Sequence, residues 1–117
     1  PLDRPEEIDG AALETLFLQE ALAVNDALDL GYRVYYWRTS NGQEVDFLIG
    51  DQVAIEVKST SRVTRKHVKG LLALKEEKIF KKFYVLSEEP SAHTVDGIEC
   101  MPFPEFLKKL WSGEVLT

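Results

Sequence analysis

Apolar and polar positions alternate with different periods along the chain, and the changes of period mark its elements. Asp9 reads as a helix N-cap before Ala11 to Leu30, a stretch rich in Ala and Leu without proline or internal glycine, and Gly31 reads as its C′ stop. The apolar residues of this helix, among them Leu13, Phe17, Leu18, Leu22, Val24 and Leu28, cover nearly its whole circumference. Two of its sides are therefore expected to meet protein, one of them belonging to another domain. Val34 to Arg38 is aromatic and β-branched, Asn41-Gly42 is a hairpin turn signal, and Glu44 to Ile49 alternates, so two antiparallel strands are expected. Gln52 to Lys58 adds a third strand.

Thr64 to Lys78 places Val68, Leu71, Leu72 and Ile79 at helical spacing with bases between them, which predicts an amphipathic helix in spite of Gly70. Lys82 to Ser87 reads as a strand, Val95 to Met101 as a further short strand, and Pro104 as the first residue of a closing helix through Trp111. The expected order is αβββαβ followed by (β)α in one domain over residues 1–117. No internal repeat or low-complexity segment interrupts it.

Matching apolar faces sets the register between the second and third strands. Val45, Phe47 and Ile49 form one face and Val53, Ile55 and Val57 another. They coincide when Gly50-Asp51-Gln52 is a three-residue loop with Ile49 opposite Val53 and Phe47 opposite Ile55. Asp46 then lies directly across from Glu56. A two-residue loop would set Asp46 against Ile55 and bury a carboxylate on the apolar side. The register around Asn41-Gly42 stays open: a two-residue turn pairs Trp37 with Asp46, and a longer loop pairs Arg38 with it.

Composition adds a charge asymmetry. The 117 residues carry 14 Lys and Arg against 20 Asp and Glu, a net charge of −6, which argues against a general nucleic-acid binder. Residues 1–30 hold eight acids and one base, whereas residues 58–82 hold nine bases and two acids. Cys100 is the single cysteine and cannot form an internal disulfide, and no apolar run reaches the roughly 18 residues of a membrane span. A cytoplasmic setting with no membrane partner is expected. The start at Pro1-Leu2-Asp3, without Met or signal peptide, reads as a piece of a longer protein.

Two carboxylates facing each other about 4.5 to 5.5 Å apart at Cβ repel unless a cation or a proton intervenes. Mg²⁺ or Mn²⁺ suits such a site, because hard cations accept one or two carboxylates and keep several waters. Lys58 shares a strand face with Glu56 and adds a positive charge of the kind phosphodiester hydrolysis uses. A solvated Glu-x-Lys face is the plainer reading. Arg62, Arg65, Lys66 and Lys69 follow Lys58 closely and can track a phosphate backbone, as Arg38 can from the first strand, or can form a solvated face. His67 and His93 lack partners at zinc-ligand spacing, and Cys100 lacks an identified basic partner.

Gly10 to Glu14 on the first helix, Tyr36-Trp37-Arg38 with Glu44 to Phe47, Ile55 to Lys58, and Lys69-Gly70-Leu71 together resemble the PD-(D/E)XK phosphodiesterase superfamily. The nearest likeness is to the uncharacterised C-terminal domain of bacterial and archaeal AAA-type ATPases. The resemblance covers nearly the whole chain and has Val45 where the motif's name has Pro. It implies an α/β, restriction-endonuclease-like fold with an αβββαβ core and a mixed central sheet flanked by helices. It also implies Asp46, Glu56 and Glu14 as metal ligands and Lys58 as a catalytic group acting on the attacking water or the phosphorane charge. DNA and the ATPase portion of the parent chain would be its partners. ATP would bind only in an N-terminal part, since this chain contains no G-x-x-x-x-G-K-[ST]. The competing expectation is a non-catalytic module that packs on the ATPase through the first helix.

Overall fold

The computed structural model describes residues 5–116, with side chains from residue 10 onward. Helix α1 spans Pro5–Ala27 and so begins before the expected Asp9 cap, which falls inside it and whose side chain lies outside the described residues. Its end is also earlier than Leu30. Leu30 N–H donates to the Asn25 carbonyl at 3.0 Å and Asp29 N–H to the Asp26 carbonyl at 3.0 Å, with Asp29 at φ 53°. This is a Schellman stop with Asp29 as the left-handed C′ residue; Gly31, expected there, also has positive φ (71°) but lies two residues further on. The Asn25 amide donates to the Tyr32 carbonyl at 2.8 Å and accepts from Tyr32 N–H at 2.9 Å, which returns the chain along the helix.

Strands β1 (Val34–Arg38), β2 (Glu44–Ile49) and β3 (Val53–Val57) follow. A 3₁₀ turn at Arg65–Val68 leads into α2 (Lys69–Lys75), then come β4 (Lys82–Ser87), β5 (His93–Val95), β6 (Ile98–Pro102) and α3 (Phe103–Trp111). The strands form one mixed sheet in the order β1-β2-β3-β4-β6-β5, with β3/β4 and β4/β6 parallel and the other pairs antiparallel. α1 and α3 cover one face through Phe17, Val24, Phe106 and Leu110, packed on Ile55, Val57 and Leu86. The Phe17 ring lies 4.9 Å from Phe47 and 6.0 Å from Phe106. α2 covers the other face through Leu71 and Leu74 over Leu48, Ala54 and Val85. The architecture is α/β, a mixed sheet flanked by helices.

Three expectations change. The helix expected to reach Lys78 is a 3₁₀ turn plus a short α-helix ending at Lys75, and Ile79 is consequently exposed rather than part of an apolar face. Gly70 explains why the helix tolerates glycine: a Cβ there would sit 2.1 Å from the Glu44 carbonyl oxygen, so the α2 backbone rests directly on β2. Val95 to Met101 is not one strand but the β5/β6 hairpin, turning at Asp96 (φ 49°) and Gly97 (φ 82°). The third change is in β2. Tyr35 pairs with Leu48 but Trp37 with Val45, so Asp46 and Phe47 together oppose Tyr36 in a β-bulge. Neither register left open around Asn41-Gly42 is adopted, since Arg38 pairs with Glu44 across a longer loop. The bulge turns Val45 to the α2 side beside Leu48, away from Phe47 and Ile49 with which strict alternation grouped it.

Candidate active site

The three-residue connection Gly50-Asp51-Gln52 sets Ile49 against Val53 and Phe47 against Ile55, the register that matching apolar faces requires. Backbone pairing between β2 and β3 then gives way to side chains. Asp46 N–H donates to Glu56 Oε1 at 2.8 Å, and Val57 N–H donates to Asp46 Oδ2 at 2.9 Å. Each carboxylate thus accepts a backbone N–H beyond the last β2/β3 pair, Phe47 with Ile55, which locks the two acids together. Lys58 N–H donates to the Leu86 carbonyl at 2.9 Å, extending the parallel pairing with β4 and holding Lys58 at the strand end. Its Nζ lies 3.1 Å from Glu56 Oε2.

Burial and like charge act together on these groups. The Glu56 side chain is 5% exposed, and its carboxyl is pushed up from 4.5 to about 7, first by burial and then by the charge of Asp46. Asp46 is raised by burial, against the opposing pull of the Val57 N–H and Lys58. Glu14 is raised by burial and then by Asp46, with Lys58 opposing, so α1 brings this acid within electrostatic reach of the pair. Burial acts to lower Lys58, but the charge of Glu56, its hydrogen bond, and the charges of Asp46 and Glu14 outweigh it and hold the ammonium above its ordinary range. Among the described residues no three His, Cys, Asp or Glu side chains gather into a group able to hold a metal ion, so Glu14 neighbours the Asp46 and Glu56 pair without completing such a cluster.

The bases expected around the site separate. Arg38 lines a cavity of about 190 Å³ together with Asp46, Tyr36 and Trp37, pairs with Glu44 at 3.3 Å, and lies 5.9 Å from the exposed Tyr36 ring. Arg62, Lys66 and Lys69 are exposed on the segment after β3. Arg65 is engaged elsewhere, in a two-point contact with Asp96 at 2.8 and 3.0 Å.

Two groups escape a reading by spacing alone. His67 accepts the Thr64 N–H at Nδ1 (2.9 Å), which leaves Nε2 as its protonated nitrogen when neutral. Burial, then the charges of Lys66 and Lys58, lower its pKa. Only the Thr64-x-x-His67 interval hinted at that contact. Glu89 is buried and accepts from Val63 N–H (3.0 Å) and the Ser87 hydroxyl (2.9 Å), with His93 Nε2 at 2.6 Å. It ties the segment after Lys58 to the end of β4. Burial acts to raise Glu89, but these partners outweigh it and hold the carboxyl below its ordinary range.

No helix of the described residues is long and apolar enough to cross a membrane. Comparison with curated proteins found no match, and comparison with solved structures found none either. Residues 9–106, which run from α1 into α3 and include Glu14, Asp46, Glu56 and Lys58, match a domain of unknown function, DUF4143, and the chain therefore belongs to that family.

Proposed function

We propose that this chain is a PD-(D/E)XK-type domain that hydrolyses phosphodiester bonds of DNA with a divalent cation, attached to an AAA-type ATPase. The observation that carries the reading is the interlocked Asp46 and Glu56 pair with Lys58 against it. Two adjacent carboxylates with raised pKa values form an electrostatically unfavourable pair that a cation relieves. The donors are oxygens only, and each engaged oxygen keeps a second lone pair, which suits Mg²⁺ or Mn²⁺ bound by two carboxylates and water. Asp46 and Glu56 would hold the ion, with Glu14 as an outlying acid. Bound there, the ion would supply Lewis-acid stabilisation of the phosphoryl oxygens and a more acidic water.

The chain's own residues supply the rest. The Lys58 ammonium, fixed at the strand end by its backbone bond to Leu86, presents positive charge to the oxygens that gain charge as water attacks phosphorus. Glu56, whose raised pKa of about 7 marks an ionised form short of positive charge, would be held as the carboxylate by the cation, and the attacking water gives its proton to solvent. Water forms the new P–O bond, the ester P–O bond breaks, and the leaving oxygen takes its proton from solvent. Arg38 beside Asp46, with the exposed Arg62, Lys66 and Lys69, would contact flanking phosphates.

The test is nicking of supercoiled plasmid by this domain and by its ATPase parent, with Mg²⁺ or Mn²⁺. Nicking is expected in the wild type and is expected to fall at least a hundredfold in both Asp46→Asn and Lys58→Ala, a loss of about 3 kcal/mol in barrier lowering. Equal nicking by Lys58→Ala, or an inactive wild type and parent, refutes the reading. A second reading, a non-catalytic module docked on the ATPase, is favoured by Leu16, Leu18 and Leu22, exposed on α1, and by Leu28, exposed just past its end. It predicts that Leu18→Glu/Leu22→Glu abolishes association with the ATPase portion in sedimentation, whether or not the plasmid is cut.

A further inference from the structure

The basic segment 58–82 does not act as one surface. Arg65 is paired with Asp96, whereas four of the remaining bases gather where the chain passes from α2 into β4. Lys75 and Lys78 at the end of α2, with Lys81 and Lys82 at the start of β4, line a half-open cavity of about 490 Å³. Its other walls include Phe80 and Phe83. Val53 pairs with Lys82 and Val57 with Leu86, so the cavity lies about 13 Å along the strands from the Glu56 and Lys58 end.

The lining contains four lysines and one carboxylate residue, Glu99. Lys82 Nζ donates to the Glu114 carbonyl at 2.7 Å, and Lys75 Nζ lies 5.9 Å from the Phe83 ring. Lys78 and Lys81 have no side-chain hydrogen bond or ion pair among the described residues. The backbone favours this placement at a cost. Lys78 has φ 59°, a left-handed conformation that a glycine would hold more easily, three residues past the last residue of α2. Across the cavity, Gly97 lacks a side chain: a Cβ there would come within 3.8 Å of Lys75 Nζ.

We propose that this cavity binds the phosphate of a nucleotide unit, held by Lys75, Lys78 and Lys81, with its base against Phe80. Clustered lysines without carboxylate partners select a multiply charged anion, and a compact ammonium binds phosphate as a point charge. The volume suits a nucleotide, since small-molecule sites run from roughly 300 to 1,000 Å³. Lys75 lies over the Phe83 ring, and Phe80, only partly buried against the α2-side core, keeps accessible ring surface for stacking. The site is independent of the Asp46 and Glu56 chemistry.

The test is fluorescence anisotropy of the full chain with a fluorescein-labelled oligothymidylate single strand, with unlabelled thymidine 5′-monophosphate as competitor. Lys78→Gln/Lys81→Gln is expected to weaken strand binding about tenfold and to lower the salt slope by up to about 0.7, because the one phosphate held there loses two of its three lysines. Lys108→Gln/Lys109→Gln, the same charge change on α3, is expected to keep wild-type affinity, and matching thermal unfolding curves establish that both variants fold. Displacement by the monophosphate identifies a free nucleotide as the ligand, and resistance to it identifies a strand; either supports the phosphate site. Wild-type affinity in Lys78→Gln/Lys81→Gln, equal losses in the two double variants, or binding of neither probe by the wild type overturns it.

Discussion

Replacing Glu56 by Gln removes a buried charge while keeping a side-chain oxygen able to accept the Asp46 N–H. In the folded chain the Glu56 carboxyl is pushed from 4.5 to about 7, so the folded state holds its proton more tightly than the unfolded state does. The stability this proton lends is fully present below about pH 4.5 and is lost as pH rises through about 7. A rise of two to three pKa units, at about 1.4 kcal/mol each, puts the cost of ionised Glu56 at about 3 kcal/mol. That figure already contains the attraction of Lys58; Gln escapes it, but its amide nitrogen cannot accept from Lys58 Nζ as Oε2 does, and a buried donor left without a partner costs about 1 kcal/mol in return. Glu56→Gln is therefore expected to be more stable than wild type by about 2 kcal/mol at pH 8 and nearly equal to it at pH 4. Urea unfolding followed by circular dichroism at both values reads this as a midpoint about 1 M higher at pH 8 only. A variant midpoint at or below that of wild type at pH 8 would show that Glu56 is not a strained carboxylate.

Millimolar Mg²⁺ is likewise expected to raise the wild-type urea midpoint at pH 8 and to raise that of Glu56→Gln less; equal shifts would place the ion elsewhere. Gly70→Ala, whose Cβ would meet the Glu44 carbonyl oxygen at 2.1 Å, is expected to destabilise by about 3 kcal/mol, and a thermal midpoint within a degree of wild type would contradict the α2 and β2 contact. Phe106→Ala, in the fully buried ring cluster with Phe17 and Tyr84, is expected to cost about 3 to 5 kcal/mol in urea unfolding. Glu89 has its carboxyl held below the ordinary 4.5, so the stability it contributes is present above that value and is lost as pH falls through the lowered one. Glu89→Gln should consequently flatten the acid limb of the unfolding curve, and an unchanged acid limb would remove Glu89 from that role.

Period-two alternation determined the β2 and β3 register and the three-residue loop, because a slip of one residue would send Phe47 and Ile55 to opposite faces. That placed Asp46 near Glu56 without any knowledge of distant contacts. The αβββαβ order was equally legible, since helix and strand periods are properties of neighbouring residues. Asp96-Gly97 carried a turn signal in plain view, yet an apolar run across it read as a single strand. What the tertiary structure alone decided depends on residues far apart in the chain. The bulge at Asp46 and Phe47 accompanies the packing of Val45 beneath α2, and the close seat of α2 on β2 depends on Gly70 meeting Glu44, 26 positions away. The division of the bases between the pair with Asp96 and the cavity at the start of β4, and the burial that raises Glu56, likewise exist only once the sheet is layered between its helices. Local periodicity reports which face a residue presents; which charge, backbone or ring awaits it there is set by the packing of the whole chain.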